Sequence, residues 1–363
     1  MNYTEAIYLY GIKRLRGERT VSGLFHILNG KKSSQAIQDG KLFSLSNLFG
    51  TMPNINYAKF TSSVQMISAQ GWITLDFDDH PHITEMGNDR LEKYLMLHPL
   101  PVKLNGWRYG DISKVFWRRL TLFVQTLSHL LENDSHFYPI QNDPTILSWV
   151  KDHFPNHYHV RVNASEMLYT ELFLFLKKVD PTDAENVVQR LTRHGRIGKT
   201  SAQVAQELQL DPVECDFRFQ ATIHHLINQL LEDGDSFPGL YLFISDLHQP
   251  YTLTESTLRT LNLLRDGIAI KAIAAERRLK LSTIEDHIIE IAINVLGFSI
   301  DPYVSFTEQE EIINTSKGLN TKRLKAIKER LGDRYTYFQI RLTLTNMDDQ
   351  PDRCKEGEFD AIN

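Results

Sequence analysis

The stretch that most limits what this chain can fold into is 251–301, YTLTESTLRTLNLLRDGIAIKAIAAERRLKLSTIEDHIIEIAINVLGFSID. Leu258, Leu261 and Leu264 recur at helical spacing, and Gly267 supplies a stop. IKAIAAERR reads as a second helix, whose Ala274 and Ala275 are small enough for another helix to cross closely. Leu279 and Leu281 anchor a turn. Ser282 and Glu285 have the spacing of a capping box, and Ile284, Ile288 and Ile291 then face inward. Helix, turn and longer helix in this order make a helix-turn-helix. Its last helix takes the place of the one that enters a DNA groove. The turn and helix start offer Arg277, Arg278, Lys280, Ser282 and Thr283, with Lys271 one helix earlier. Residues 258–280 hold six basic and two acidic side chains, which Asp286 and Glu290 temper further on.

The chain as a whole carries a net charge of −5 over 363 residues, so any nucleic-acid surface has to be local. Basic residues are concentrated accordingly. Residues 1–32 net +4, including Lys31 and Lys32. Residues 317–334 net +5, including Lys322, Arg323 and Lys325. The last residues, 346–363, are acidic with little apolar pattern, and disorder is expected there. Hydrophobic content of 42% and charged content of 23% suit a globular chain of two or three domains.

Three segments follow from the pattern, and the expected class is mainly α. Residues 1–98 read as three helices, a longer helix (INYAKFTSSVQMISAQG, with Phe60, Val64 and Ile67 inward) and a hairpin, WITLDFDDHPHITEMG. That order is a winged helix, in which the helix before the hairpin is the one able to enter a major groove. Lys59, Ser62 and Ser63 lie on its free face, while Asp76, Asp78 and Asp79 make the wing acidic and unfriendly to phosphate. Residues 99–247 read as an all-helical middle module, with Trp107, Trp117, Trp149, Phe154 and Phe173 as core. Residues 248–345 hold the helix-turn-helix, then the basic helix TKRLKAIKERL and an alternating, strand-like end.

Residues 198–201, GKTS, imitate the end of a phosphate-binding loop. Arg193 stands where that loop needs its first glycine, and a helical pattern precedes it instead of a strand. Thr200 with Gln203 is instead a capping box, and Asp211-Pro212 restarts a helix, a packing unit of helix-turn-helix shape. No other chemistry is legible. Pro155 breaks the helix that would align His153 with His157, with His159 beyond. Glu308, Glu310 and Glu311 suit a helix start. Cys215 and Cys354 have no zinc-site spacing and point to a reducing compartment. With no apolar run long enough to cross a bilayer and no signal-peptide pattern, a bacterial cytoplasmic protein without metal or cofactor is expected.

IAAERRLK, STIEDHI and RLKAIKERLGDRYTYFQIRL together resemble the helix-turn-helix domain found at the C-terminus of some RecQ-type helicases. The same domain occurs in the bacterial YpbB family, whose gene typically neighbours that of a RecQ-like helicase. GLFHILNGKKSSQAIQDGKLF and ITEMGNDRLEKYL resemble that family as well, and the winged helix that follows the RecQ motor. The resemblance covers both ends of the chain and leaves the middle unmatched. It departs from RecQ in having no Walker loop, no DExH-type box and no four-cysteine zinc site. It implies a non-catalytic adaptor of a RecQ-like helicase that binds forked or single-stranded DNA in repair or recombination. The alternative is a helix-turn-helix transcription regulator.

Overall fold

The computed structural model describes residues 1–247 and 251–347, so most of the acidic tail and Cys354 lie outside the described residues. Among the described residues its regular structure is helical apart from one two-stranded sheet. The first segment runs through α1 (Tyr3–Leu15), α2 (Val21–Asn29), α3 (Ser34–Leu42) and α4 (Tyr57–Ala69) into β1 (Ile73–Leu75) and β2 (Pro81–Ile83), then α5 (Glu85–Leu97). The strands pair antiparallel, with Ile73 opposite Ile83. This is the winged-helix order. Gly30 ends α2 at φ +80, a conformation that favours glycine, and a Cβ there would strike the backbone of Gly50.

The middle segment holds α6 (Gly106–Leu131), α7 (Pro144–His153), α8 (Tyr158–Leu176), α9 (Pro181–Val188), α10 (Ser201–Glu207), α11 (Pro212–Glu232) and the short α12 (Pro238–Tyr241). Phe116, Leu120, Phe175, Ile227 and Phe243 centre its own core. Arg119 is buried there because its guanidinium stacks 4.2 Å over Trp149 and forks onto Asp246 at 2.6 and 2.8 Å. Phe173, expected in the core, is half exposed. So are Tyr158 and Tyr169 on the same helix.

The third segment holds α13 (Glu255–Arg265), α14 (Ile270–Glu276), α15 (Leu281–Asn294), α16 (Phe306–Leu319), α17 (Leu324–Leu331) and α18 (Tyr337–Asn346). The strand-like reading of its end is corrected. Thr336 and Gln339 form a capping box that starts a helix, and Phe338, Ile340, Leu342 and Leu344 are all buried in it. Beyond the exposed Tyr337 the helix is buried or half-buried all round, and such a helix shows no apolar stripe at helical period, which is why its sequence alternates instead. The capping box read at Ser282 is also corrected: α15 starts two residues earlier, at Leu281, with Lys280 in the cap position and no side-chain cap bond.

The first and third segments close over one common core. Ile37, Leu42 and Phe60 belong to the same cluster as Ile284, Ile288, Ile289, Ile340 and Leu344. Helix α15 packs against α3 as well as against α13, α14 and α18. Arg341 of α18 ties the seam: its Nε donates to Gln38 Oε1 at 2.9 Å and its Nη2 to Ser34 Oγ at 2.8 Å. Its Nη1 lies 2.7 Å from Asp286 Oδ1, an attraction of charge without hydrogen-bond alignment. The middle module joins this body through Trp107 Nε1, which donates to Asn294 Oδ1, and through Gln220, which donates to the Thr51 carbonyl. No helix of the described residues is long and apolar enough to cross a membrane.

Two predictions follow from this packing. Ile288 is fully buried where the two segments meet, so Ile288→Ala is expected to lower the unfolding free energy by about 2–5 kcal/mol in a urea titration. His224 is buried on α11, where its Nδ1 accepts the Asn105 amide at 3.1 Å; burial pushes its pKa from 6.5 down to about 4. The unfolded chain therefore takes up this proton first, so stability present above pH 6.5 is lost as pH falls toward about 4. The slope from this one proton is at most about 1.4 kcal/mol per pH unit. His224→Asn keeps an acceptor and removes the titration, and is expected to flatten the pH dependence of the urea midpoint in that window.

Candidate nucleic-acid interface

The α14–α15 turn is built from the backbone outward. Leu279 N–H returns to the Ala274 carbonyl at 2.9 Å and Arg277 N–H to Ile273 at 2.9 Å, so the chain reverses within four residues. Arg278 sits at φ +53, a left-handed conformation that costs a non-glycine residue about 1–2 kcal/mol. Its side chain is exposed, as are those of Lys271, Lys280 and Ser282, while Thr283 is half-buried. The side chains of Lys271, Arg278 and Lys280 make no hydrogen bond or ion pair among the described residues. Arg278 and Lys280 stand two residues apart at the turn, and Lys271 at the start of α14.

Arg277 behaves differently. Its guanidinium donates to the Ser256 carbonyl and Ser256 Oγ, each at 2.9 Å, and to Thr260 Oγ1. It pins the turn onto α13. His287, buried beside it, contacts Thr260 Oγ1 at 2.8 Å, and burial followed by the Arg277 charge holds its pKa below the usual histidine value. Two of the three acidic residues of α15 also turn inward. Glu290 accepts from Thr254 and Thr257 at the start of α13, and Asp286 faces Arg341. Neither opposes a phosphate at the turn.

The body of α15 is enclosed. Ile284, His287, Ile288, Ile289, Glu290, Ile291 and Ala292 are all buried, and α3 and α18 lie along it. Its N-terminal turn, with Leu281 and Ser282, is the part left open.

Lys322 and Arg323, also nominated for DNA, are engaged at the seam between the first and third segments. Lys322 Nζ donates to the Leu42 carbonyl at 2.6 Å and its amide to Glu18 Oε2 at 2.7 Å. Arg323 donates to the Gly17 carbonyl. These bonds satisfy orphan carbonyls at the end of α3 and just past α1. Sequence reasoning missed what surrounds them. A cleft of about 440 Å³ gathers Lys13, Arg14 and Arg16 from the first segment and Lys317 and Lys322 from the third, with Glu18 as its acid. The two basic stretches seen in the sequence thus meet at one place. Arg14 is used up on the Phe43 carbonyl and Lys13 on Glu92, leaving Arg16 and Lys317 exposed and unpaired among the described residues. The charge runs at 1–32 and 317–334 were the available signal; their meeting is a tertiary fact.

The remaining candidates are scattered. Lys325 and Lys31 are exposed, and Lys32 pairs with Asp111 of α6 at 2.5 Å. Lys59 is exposed on α4, beside Ser62 and Met66. The wing turn after β1 is shaped by Asp76, whose carboxylate accepts the amides of Asp78 and His80, and Phe77 stands fully in solvent.

A second turn of the same design lies between α10 and α11. Leu208 and Leu210 N–H return to Val204 and Ala205 at 2.9 Å, and Gln209 takes the left-handed position at φ +56. Here Asp211 caps the following helix, so it stands where the other copy has Lys280, while Glu214 is buried against His98 and Asp216 pairs with Arg190. The GKTS segment serves this unit: Thr200 and Gln203 box the start of α10, and Lys199 pairs with Glu207.

The two kinds of cation predict different losses. Arg277→Ala, Lys322→Ala and Arg323→Ala each strip hydrogen bonds from the fold and are expected to cost about 1–3 kcal/mol of stability in thermal or urea unfolding. Arg278→Ala and Lys280→Ala are expected to stay within about 0.5 kcal/mol of the parent.

Residues 256–344 match the family model of a helix-turn-helix domain, the span that contains the α14–α15 turn. Such a domain points to DNA. Over 353 residues the chain is 35% identical to Protein YpbB of Bacillus subtilis strain 168, which takes in 97% of this chain and 99% of that protein. No solved structure matches. With likeness over almost the full length of both proteins, and the helix-turn-helix where the turn geometry puts it, the chain belongs to the YpbB family.

Proposed function

We propose that the protein is a non-catalytic, DNA-binding accessory of a RecQ-like helicase, acting in DNA repair or recombination. The observation that carries the reading is the state of α15, enclosed along its body and open, with basic neighbours, at its first turn. A regulator that reads an operator lays a recognition helix in the major groove and brings three or four side chains to base edges. This helix offers little beyond Leu281 and Ser282, flanked by Arg278 and Lys280. Contacts of that kind go mainly to phosphates, which position a protein without specifying sequence. Sequence-tolerant binding suits a companion of an enzyme that meets every sequence it unwinds. It favours the accessory over the transcription regulator.

The helicase part of the reading rests on the resemblance of the third segment to the C-terminal domain of RecQ-type enzymes, in a chain without their motor motifs. The first segment supports a protein contact more than a DNA contact, through Met66 on α4 and Phe77 on the wing, both well exposed.

Fluorescence anisotropy with forked and duplex DNA over a salt series tests the DNA half. Affinity is expected to fall steeply with salt and to vary little with sequence, and Arg278→Ala/Lys280→Ala is expected to reduce the salt slope by about 2. A strong preference for one duplex sequence would favour the regulator instead. The partner half is tested with the purified RecQ-like helicase of the same cell. Co-elution and a changed ATPase or unwinding rate are expected, both weakened by Met66→Asp/Phe77→Asp. Neither co-elution nor a rate change would sink the accessory reading.

A further inference from the structure

We propose that His129, Asp134 and His194 form a site for a divalent transition-metal cation of the zinc class. The three residues come from two places in the chain. His129 lies in the last turn of α6, Asp134 follows in the loop after it, and His194 sits on the tight hairpin between α9 and α10. His129 Nδ1 is 2.8 Å from Asp134 Oδ2 and His194 Nε2 is 3.8 Å from the same oxygen. All three donor atoms lie within 4.8 Å of one another. A tetrahedral zinc ion with bonds of about 2.0–2.1 Å holds its donors roughly 3.3 Å apart. The two distances to Asp134 bracket that value, so small shifts of side chains close the site.

Each ligand is aimed by a second contact, as metal ligands usually are. Asp134 Oδ1 accepts the His136 amide at 3.0 Å, which turns Oδ2 toward both imidazoles. The His129 ring stacks on Phe137 with centroids 4.4 Å apart. The His194 amide donates to Ser128 Oγ at 2.9 Å, fixing the hairpin against α6. Two imidazoles and one carboxylate suit zinc and its transition-metal neighbours, whereas magnesium and calcium take oxygen ligands. The side chains of Asp134 and His194 are 33% and 43% exposed, which leaves room for water as a fourth ligand. The histidine-rich stretch at 153–159 is no rival, because His153 is committed to the Trp149 carbonyl and stacks on that indole.

The ion would join the end of α6 to a hairpin closed by reciprocal bonds between Arg193 and Arg196 at 2.9 and 3.0 Å. Both arginines are exposed, and the hairpin leads directly into the α10–α11 unit. Metal binding would therefore set how rigidly a basic loop is presented. The proposal does not depend on the helicase reading.

The test uses the untagged full chain, stripped with a chelator and titrated with zinc chloride alone. One equivalent is expected to bind by calorimetry and to raise the melting temperature, with no rise from the same concentration of magnesium. Cobalt(II) in its place is expected to give the visible ligand-field absorption of a tetrahedral site. His194→Ala should weaken zinc binding at least ~10-fold, as should Asp134→Asn, which keeps the shape and hydrogen-bond acceptor but not the charge. Circular dichroism of each stripped variant checks that it folds. Trypsin cleavage after Arg193 and Arg196 should slow when zinc is present. A stripped chain that takes up no zinc, or one whose uptake survives both substitutions, overturns the site. Unchanged cleavage overturns the link between α6 and the hairpin.

Discussion

The enclosure of α15 is the constraint on which the rest depends. A helix that buries Ile284, Ile288, Ile289 and Ile291 needs apolar partners on several sides, and α13 with α14 cover only some of them. The remainder is supplied by α18 of its own segment and by α3 from the other end of the chain. Joining the two segments also fixes the polar detail. Asp286 would be a half-buried carboxylate without a counter-charge if Arg341 were absent, and Arg341 in turn is steadied by Gln38 and Ser34 of α3. The winged helix and the helix-turn-helix therefore behave as one body, and the surface that a free helix-turn-helix would turn to DNA is largely spent on holding it together.

What remains for a ligand is decided by how cations are shared out. Helix ends expose carbonyls that lack partners, and the ends of α1, α3 and α16 gather at one cleft. Arg14, Lys322 and Arg323 satisfy carbonyls near those ends, so a large part of the local positive charge is structural. Arg16 and Lys317 at the rim, Lys271 at the start of α14, and Arg278 and Lys280 at the turn keep their charge facing water. A net-negative chain can still present a local positive surface in this way. The strength of that surface is set by these few groups rather than by the charge count of the segment.

The repeated turn shows how one backbone design takes two roles. The hydrogen-bond pattern and left-handed residue are the same at Leu208–Leu210 and Arg277–Leu279, because both connect a short helix to a long one across a small apolar core. The side chains at the following helix start then differ in sign. Asp211 favours the positive end of the α11 dipole and repels phosphate, whereas Lys280 and Arg278 attract it. Geometry alone does not make a DNA contact.

The sequence by itself determined the local elements. Apolar residues at helical spacing gave α1, α2, α4 and α13–α15. Gly30 and Gly267 marked helix ends, Thr200 with Gln203 marked a start, and the polar turn marked the hairpin. These signals are written in neighbours three or four residues apart. It also located the helix-turn-helix and its exposed turn, since an exposed cation at a turn leaves a local trace. The tertiary structure decided the rest. Alternation at 335–345 read as strand because α18 beyond Tyr337 is buried or half-buried all round and shows no stripe. Arg277, Lys322 and Arg323 look like Arg278 and Lys280 in sequence. What separates them is whether a carbonyl from a distant segment stands within reach. That distinction, like the meeting of α3 with α15 and of His194 with His129, exists only once chain segments far apart in sequence are brought within a few ångströms.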